Sequence, residues 1–452
     1  MIMMHKFFQK VCFAPLFIVF ICAVTAVSGQ QKMDRIERER LKTMLKVIKD
    51  TVKDEYFDPS FKGIDLEARY KRASDRIDQV ESSGQAMGVI AQMLVDFNDS
   101  HLYFVPPAMT SRVEYGWRDT IAGDKLIVTV VKPGSDAEAK GLKRGDQILS
   151  IEGFAPVKKE MWKVYYFYRV ISKRTSIKLR VLSPGDAAPR DLEIASKITR
   201  LPLVINRSNL FKVIDWSGKS DIEYNYFKPL GNIIIWKMPS FGIAPSDIDT
   251  MIGKIKNYPN VILDLRGNGG GLVSTLERLA GWMFDRDLTI AQLKGRKQMD
   301  PMRSKTRGQS AYKGGLVVLT DANSASAAEI FARLVQLEKR GVVVGDVTAG
   351  AVMQSINKEL TMGGNDEIIY GVSITNADVI MSDGKSLENV GVVPDHLVIP
   401  TPADFAQNRD PVLATAVRLL GGEITPEQAG SIFRYKWTTN TNNDERIEII
   451  VN

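Results

Sequence analysis

The chain has 452 residues, 44% of them hydrophobic, a formal net charge of +7 and two cysteines. That length points to more than one domain with well-buried cores. The mild charge, with no basic block interleaved with aromatics, sets nucleic acid aside as a partner.

The first residues have the grammar of an export signal. Lys6 and Lys10 precede the apolar run Val11–Val27, and small residues lead up to Gln30, so residues 1–29 read as a signal peptide cut after Ala26 or Gly29. Pro15 and the small-residue end favour removal over a retained N-terminal membrane anchor, the other reading of a run this long. Bulky Ile21 argues against lipid attachment at Cys22. The expected location is periplasmic or extracellular, with anchoring or peripheral membrane association as the alternative. Cys12 and Cys22 both fall in this leader, so the mature chain would have no disulfide and no thiolate metal site. Its net charge would fall from +7 to +5.

Residues 30–107 read as a helical region. Ile36, Leu41, Met44, Leu45, Ile48 and Val52 recur at helical spacing, as do apolar residues over Met87–Phe97. The string Asp99-Ser100-His101 then leads into Leu102–Val105. From 108 to 200 the pattern changes to short strands, with Lys125–Val131 a strand and Asp136–Lys140 a short helix. Between 201 and 400 apolar strands at Gly231–Trp236, Val261–Leu265, Leu316–Thr320 and Val342–Gly345 alternate with helices at Ser246–Asn257, Val273–Phe284 and Ser326–Lys339. Such alternation predicts an α/β core. Residues 401–452 add a helix near Pro411–Leu420 and a polar loop at Thr438–Asp444. The basic stretch Lys294–Lys313, with Arg296, Lys297, Arg303, Lys305 and Arg307, reads as a solvated surface loop, or else as a lid attracting acidic peptide termini.

Two strings carry the chemistry. In Asn323–Ile330 a strand runs through small residues into a helix, presenting a hydroxyl where free backbone N–H groups favour negative charge. Ser326 with Glu329 also spells a capping box, and Ser324 is the other serine available. In Val261–Gly271 a buried strand ends in three consecutive glycines, which admit close approach of a substrate backbone.

With Val344–Gly350 and Gly391–Asp395, these strings occur in an order that resembles the S41 serine peptidases, the family of C-terminal processing proteases and the tricorn core. Ser135–Gly153 resembles a bacterial PDZ domain, a module that binds extended peptides by strand addition. Its carboxylate-binding loop would lie near Tyr115-Gly116-Trp117. The resemblance implies a ClpP/crotonase-like α/β core and an inserted small β-rich PDZ domain. It implies Ser326 as nucleophile, and an oxyanion hole from the Ala327 N–H with that of Gly269 or Gly270. Processing proteases use a lysine just after the Thr-x-Gly landmark, where this chain has Ala351. The tricorn-like branch uses a Ser-His pair ahead of the PDZ, implying His101 as base, with Ser100 and Glu388 completing the group. His396 reads as structural. Asp264 and Arg266 read as architectural. The implied activity is peptide-bond hydrolysis through an acyl-enzyme, on protein or peptide substrates, with peptide termini bound at the PDZ and no metal or organic cofactor. A non-catalytic peptide- or ligand-binding protein and an acyl-CoA enzyme are the rival readings.

Overall fold

A computed structural model describes residues 33–107, 111–200, 226–363, 368–439 and 445–451. The leader lies outside the described residues, as do 440–444 of the expected polar loop. Among the described residues no helix is long and apolar enough to cross a membrane.

Helices α1 (Arg35–Glu55), α2 (Leu66–Gln79) and α3 (Ser83–Val95) are each started by a side-chain cap, from Asp34, Asp65 and Ser82, which satisfies N–H groups the helix cannot. Leu41, Met44, Leu45, Ile48 and Val52 form the buried stripe of α1, whereas Ile36 is 66% exposed and drops out of it. This stripe packs with Phe104 of β1 (Tyr103–Val105) in one core.

The chain then enters a β-rich unit. Strands β2 (Ser111–Glu114), β3 (Trp117–Ala122) and β4 (Lys125–Val131) are followed by α4 (Asp136–Ala139), β5 (Gln147–Ile151), α5 (Met161–Tyr165), β6 (Ser176–Leu182), β7 (Arg190–Ala195) and β8 (Lys197–Arg200). Strands β3 to β7 make an antiparallel sheet in sequence order, leaving β3 on an edge. Entry strand β2 and exit strand β8 pair with each other, so the unit leaves its neighbours where it joined them. Tyr115 and Trp117 are buried in its core, and Gly116, with φ +83, lies against Ser135.

Strands β9 (Tyr226–Leu230), β10 (Ile233–Lys237), β11 (Asn260–Asp264), β14 (Gly315–Thr320), β15 (Val342–Gly345) and β18 (His396–Leu397) form a six-stranded sheet in the order β18-β15-β14-β11-β10-β9. It is parallel except for β9. Alternate residues serve opposite faces. Ile234, Trp236, Val261, Leu263, Leu316 and Val318 pack against α6 (Pro245–Ile255), α7 (Val273–Met283) and α8 (Ala327–Leu337). Ile233, Ile235, Ile262, Val317 and Leu319 pack against α10 (Pro411–Leu419) and α11 (Pro426–Ile432), which follow the short α9 (Pro402–Ala406). Burial on both faces is why these strands are continuous apolar runs in the sequence.

A second sheet, unforeseen in the sequence, has the order β1-β17-β12-β13, with β16 paired to β17. Its strands are β12 (Leu288–Gly295), β13 (Met302–Ser304), β16 (Met353–Met362) and β17 (Ile368–Met381). The stretch 294–313 is therefore built into the fold, although Arg296, Lys297, Arg303 and Lys305 keep exposed side chains as a surface segment would. It supplies β13, it buries Ala311 and Tyr312, and Arg296 donates to the Tyr56 carbonyl and stacks over Phe61. A final hairpin, β19 (Phe433–Thr439) with β20 (Glu445–Val451), closes the chain.

Candidate active site

The site forms where β11 and β14, neighbours in the sheet, end in adjacent loops. The loop after β14 is organised by Asp321, whose Oδ1 accepts from the Asn323 and Gly267 N–H groups and lies 3.2 Å from Ser324 Oγ. Ser324 is fully buried and donates to the Leu265 carbonyl at 2.9 Å. Its hydroxyl is thus a brace between the two loops and faces no substrate.

Ser326 ends this loop in a backbone conformation that L-residues rarely adopt, φ 54 and ψ −119. Such a conformation costs on the order of 1–3 kcal/mol and persists only where neighbours over-determine it. Here the Ser326 N–H donates to the Ala351 carbonyl and to Glu329 Oε2, both at 3.0 Å. The capping box is half made. The Glu329 carboxylate caps the Ser326 N–H, whereas the Ser326 hydroxyl makes no cap hydrogen bond, so it is left for other chemistry. Next in line, Ala327 opens α8, and its N–H has no intrahelical acceptor.

The glycine loop lies directly against this turn. A Cβ on Gly270 would sit 2.7 Å from Ser326 Cβ and 3.0 Å from the Ala327 nitrogen. Asn268, fully buried, shapes the loop. Its Nδ2 donates to the Met238 carbonyl at 2.9 Å, and its Oδ1 accepts from the Gly270 N–H at 2.8 Å. Of the two glycines expected to serve an oxyanion, Gly270 therefore has its N–H engaged inside the loop. The Gly269 N–H makes no hydrogen bond among the described residues. Behind the loop, Arg266 binds Asp264 through Nε at 2.9 Å and Asp410 through Nη1 at 2.9 Å. Lys237 adds a second cation 3.3 Å from Asp264. These cations hold the buried Asp264 carboxyl far below the usual carboxylate range, against the cost of burial.

Ser100 and His101 arrive from the turn after α3. Ser100 Oγ lies 2.8 Å from His101 Nδ1 and donates to Glu388 Oε2 at 3.0 Å, and the Ser100 N–H donates to Glu388 Oε1 at 3.2 Å. Glu388 also accepts from the Val352 N–H at 2.8 Å. Val352 follows Ala351, the residue bonded to Ser326. Ser100, His101 and Glu388 thus meet in one hydrogen-bonded group, joined to the Ser326 turn by the strap 348–352. Among the described residues no hydrogen bond links His101 directly to Ser326.

Sequence reasoning passed over four parts of this site: Asn268, Glu329 beyond its capping role, the strap, and Asp99. Asp99 is fully buried and accepts from Tyr56 Oη at 2.8 Å, Thr375 Oγ1 at 2.5 Å and the His101 N–H at 3.1 Å, with Lys62 Nζ 3.4 Å away. Its place in the Asp-Ser-His string was the available signal. Lys358, the first lysine after Ala351 in the sequence, pairs with Glu55 at 2.7 Å. His396 is exposed on β18.

Burial dominates the electrostatics. Loss of hydration lowers the His101 pKa, opposed by the Asp99 charge, so the imidazole is neutral at neutral pH. It pushes Glu388 up to about 7, helped by Asp99 and opposed by the N–H groups of Val352 and Ser100. Glu329 is likewise pushed up to about 7, despite donors from Thr348, Gly350, Ala351 and Ser326. The two glutamates bind a proton more tightly folded than unfolded, where their pKa is about 4.3. Their contribution to stability is complete below that value and is lost as pH rises through 7. His101 acts in the opposite sense below about pH 6.5. Unfolding in urea is expected to cost roughly 2–4 kcal/mol less at pH 8 than at pH 5. Equal or greater stability at pH 8 would contradict these assignments.

Residues 232–398 match the model of peptidase family S41. The chain is similar to several named proteases. It is 25% identical over 391 residues to a tricorn protease homologue of Streptomyces coelicolor, covering 80% of this chain and 31% of that protein. It is 28% identical over 242 residues to the tail-specific protease of Haemophilus influenzae, covering 51% of this chain and 32% of that one. The chain thus spans about a third of the length of these two relatives. It is 23% identical to the chloroplastic C-terminal processing peptidase of Tetradesmus obliquus, covering 83% of this chain and 80% of that one. In fold it resembles mature CPAF, with a TM-score of 0.62, 15% identity, and coverage of 82% of this chain and 94% of that one.

Proposed function

We propose that the protein is an exported serine endopeptidase of the tricorn-like S41 branch, cutting protein or peptide substrates through an acyl-enzyme. The observation that carries this reading is the chain from Glu388 through Ser100 Oγ to His101 Nδ1. With the Ser100 hydroxyl donating to Glu388, its oxygen accepts from His101 Nδ1–H. That tautomer leaves Nε2 unprotonated and able to take a proton. Ser326 Oγ attacks the substrate carbonyl as His101 Nε2 takes its proton, and the imidazolium then protonates the leaving amine. The N–H groups of Ala327 and Gly269 hold the oxyanion. Water, activated by the same imidazole, releases the acyl group. No step calls for a metal or organic cofactor.

Export rests on the leader composition. The ClpP/crotonase-like kinship of the core and the PDZ character of the β-rich unit belong to the same reading. In support of the latter, β3 is an edge strand of the antiparallel sheet, and Tyr165 of α5 donates to its Asp119. An extended peptide would add there as a further strand.

The test is a fluorophosphonate probe applied to the folded protein, with the adduct mapped by mass spectrometry. A single adduct on Ser326, absent from heat-denatured protein, is the expected result. An adduct on another residue, or none when peptide is also present, would overturn the proposal.

A further inference from the structure

Glu329 is a buried carboxylate for which the proposed mechanism has no use. It is fully buried in the first turn of α8. Each of its oxygens takes two donors. Oε1 accepts from Thr348 Oγ1 at 2.5 Å and the Gly350 N–H at 2.7 Å. Oε2 accepts from the Ser326 and Ala351 N–H groups, each at 3.0 Å. Three of these donors lie on the strap and the fourth is the turn that carries the hydroxyl. The next amide along the strap, Val352 N–H, donates to Glu388. The strap is tied beyond this as well, since Thr348 Oγ1 accepts from the Val392 N–H at 2.6 Å and the Gly350 carbonyl from the Asn389 N–H at 2.7 Å.

We propose that Glu329 is a positioning residue: it clamps the strap 348–352 to the Ser326 turn, and through Val352 the strap sets Glu388 and the Ser100–His101 pair relative to that turn. The catalytic consequence rests on the serine-peptidase reading, whereas the clamp does not. Four convergent donors suit a carboxylate and no other side chain. A glutamine at this place can accept from only one of the two donor pairs and turns its own NH2 against the other, leaving buried N–H groups unpaired. The charged groups around the clamp are Lys158, Asp321, Asp346 and Glu388. Lys158 reaches from the β-rich unit, donates to the Val347 carbonyl at 2.5 Å and interacts with Asp346, Asp321 and Glu329.

The experiment compares wild type with Glu329→Gln and the milder Thr348→Val, following fluorophosphonate inactivation and amide exchange together. In Glu329→Gln the saturating inactivation rate is expected to fall about 10- to 100-fold with the probe's binding constant unchanged, because misplacement affects the reacting geometry and not the encounter. The Gly350 and Ala351 amides are expected to exchange faster while those in the middle of α8 keep their protection. Thr348→Val, which removes one donor of the four together with the acceptor of the Val392 N–H, gives the same pattern at about 3- to 10-fold and serves if the glutamine variant does not fold. An inactivation rate within about twofold of wild type, or unchanged exchange at Gly350 and Ala351, overturns the proposal. Faster exchange in a protein whose wild type takes no probe would keep the clamp and reject the peptidase reading instead.

Discussion

Replacing His101 with alanine is expected to lower kcat/KM for peptide hydrolysis by about 10³- to 10⁴-fold, the upper range for loss of a positioned general base. The fold should survive, because the His101 ring bonds only Ser100 among the described residues. Graded losses are expected along the relay. Ser100→Ala removes the oxygen that fixes the imidazole tautomer and should cost about 10- to 100-fold. Glu388→Gln keeps an acceptor for Ser100 and should cost about tenfold, with the larger change in the pH profile. Wild-type kcat/KM should rise with pH through about 7, where Glu388 ionises, since His101 is already neutral there. In Glu388→Gln that limb should disappear. If His101→Ala stays within about fivefold of wild type, another group is the base. Steady-state kinetics on a fluorogenic peptide across pH 5–9 measures all three variants.

Legibility in the sequence followed burial. The strands of the parallel sheet were readable because both faces are covered, which turns each into an apolar run. The second sheet was not. In β16 exposed and half-buried residues alternate under polar side chains such as Asn357, Lys358 and Glu359, and β17 carries Ser373, Thr375 and Asn376 in its middle. Thr375 is there for a tertiary reason, since it donates to the buried Asp99. Arg296 misled in the same way, since its guanidinium is satisfied by a carbonyl and a ring that no local pattern reveals. At the site, sequence order supplied the residue types, but 288 positions separate Ser100 from Glu388, and only the sheet geometry joins them. The strap is the least legible part. It acts through backbone amides at 350, 351 and 352, and a backbone donor leaves almost no trace in side-chain identity.

Gly270→Ala is expected to be severely damaging for a change of a single methyl group. Two costs combine. The residue has φ +92, where an L side chain is strained, and its Cβ would sit 2.7 Å from Ser326 Cβ, 2.9 Å from the Ala325 carbonyl oxygen and 3.0 Å from the Ala327 nitrogen. None of these neighbours is the free end of a flexible side chain, so relief requires the Ser326 turn or the glycine loop to move. The loop is held by Asn268 and by the Phe241 N–H on the Gly270 carbonyl, and the turn by Glu329 and Ala351. Stability should fall by about 2–4 kcal/mol. Acylation should fall by about 10²- to 10³-fold, because the Ala327 and Gly269 N–H groups are useful only where the oxyanion forms. Gly269→Ala supplies the contrast, since its added Cβ meets nothing within 4 Å. That variant should unfold within about 0.5 kcal/mol of wild type. Equal thermal stability of the two variants would mean that the loop and the turn are not in rigid contact, and the oxyanion assignment would fall with it.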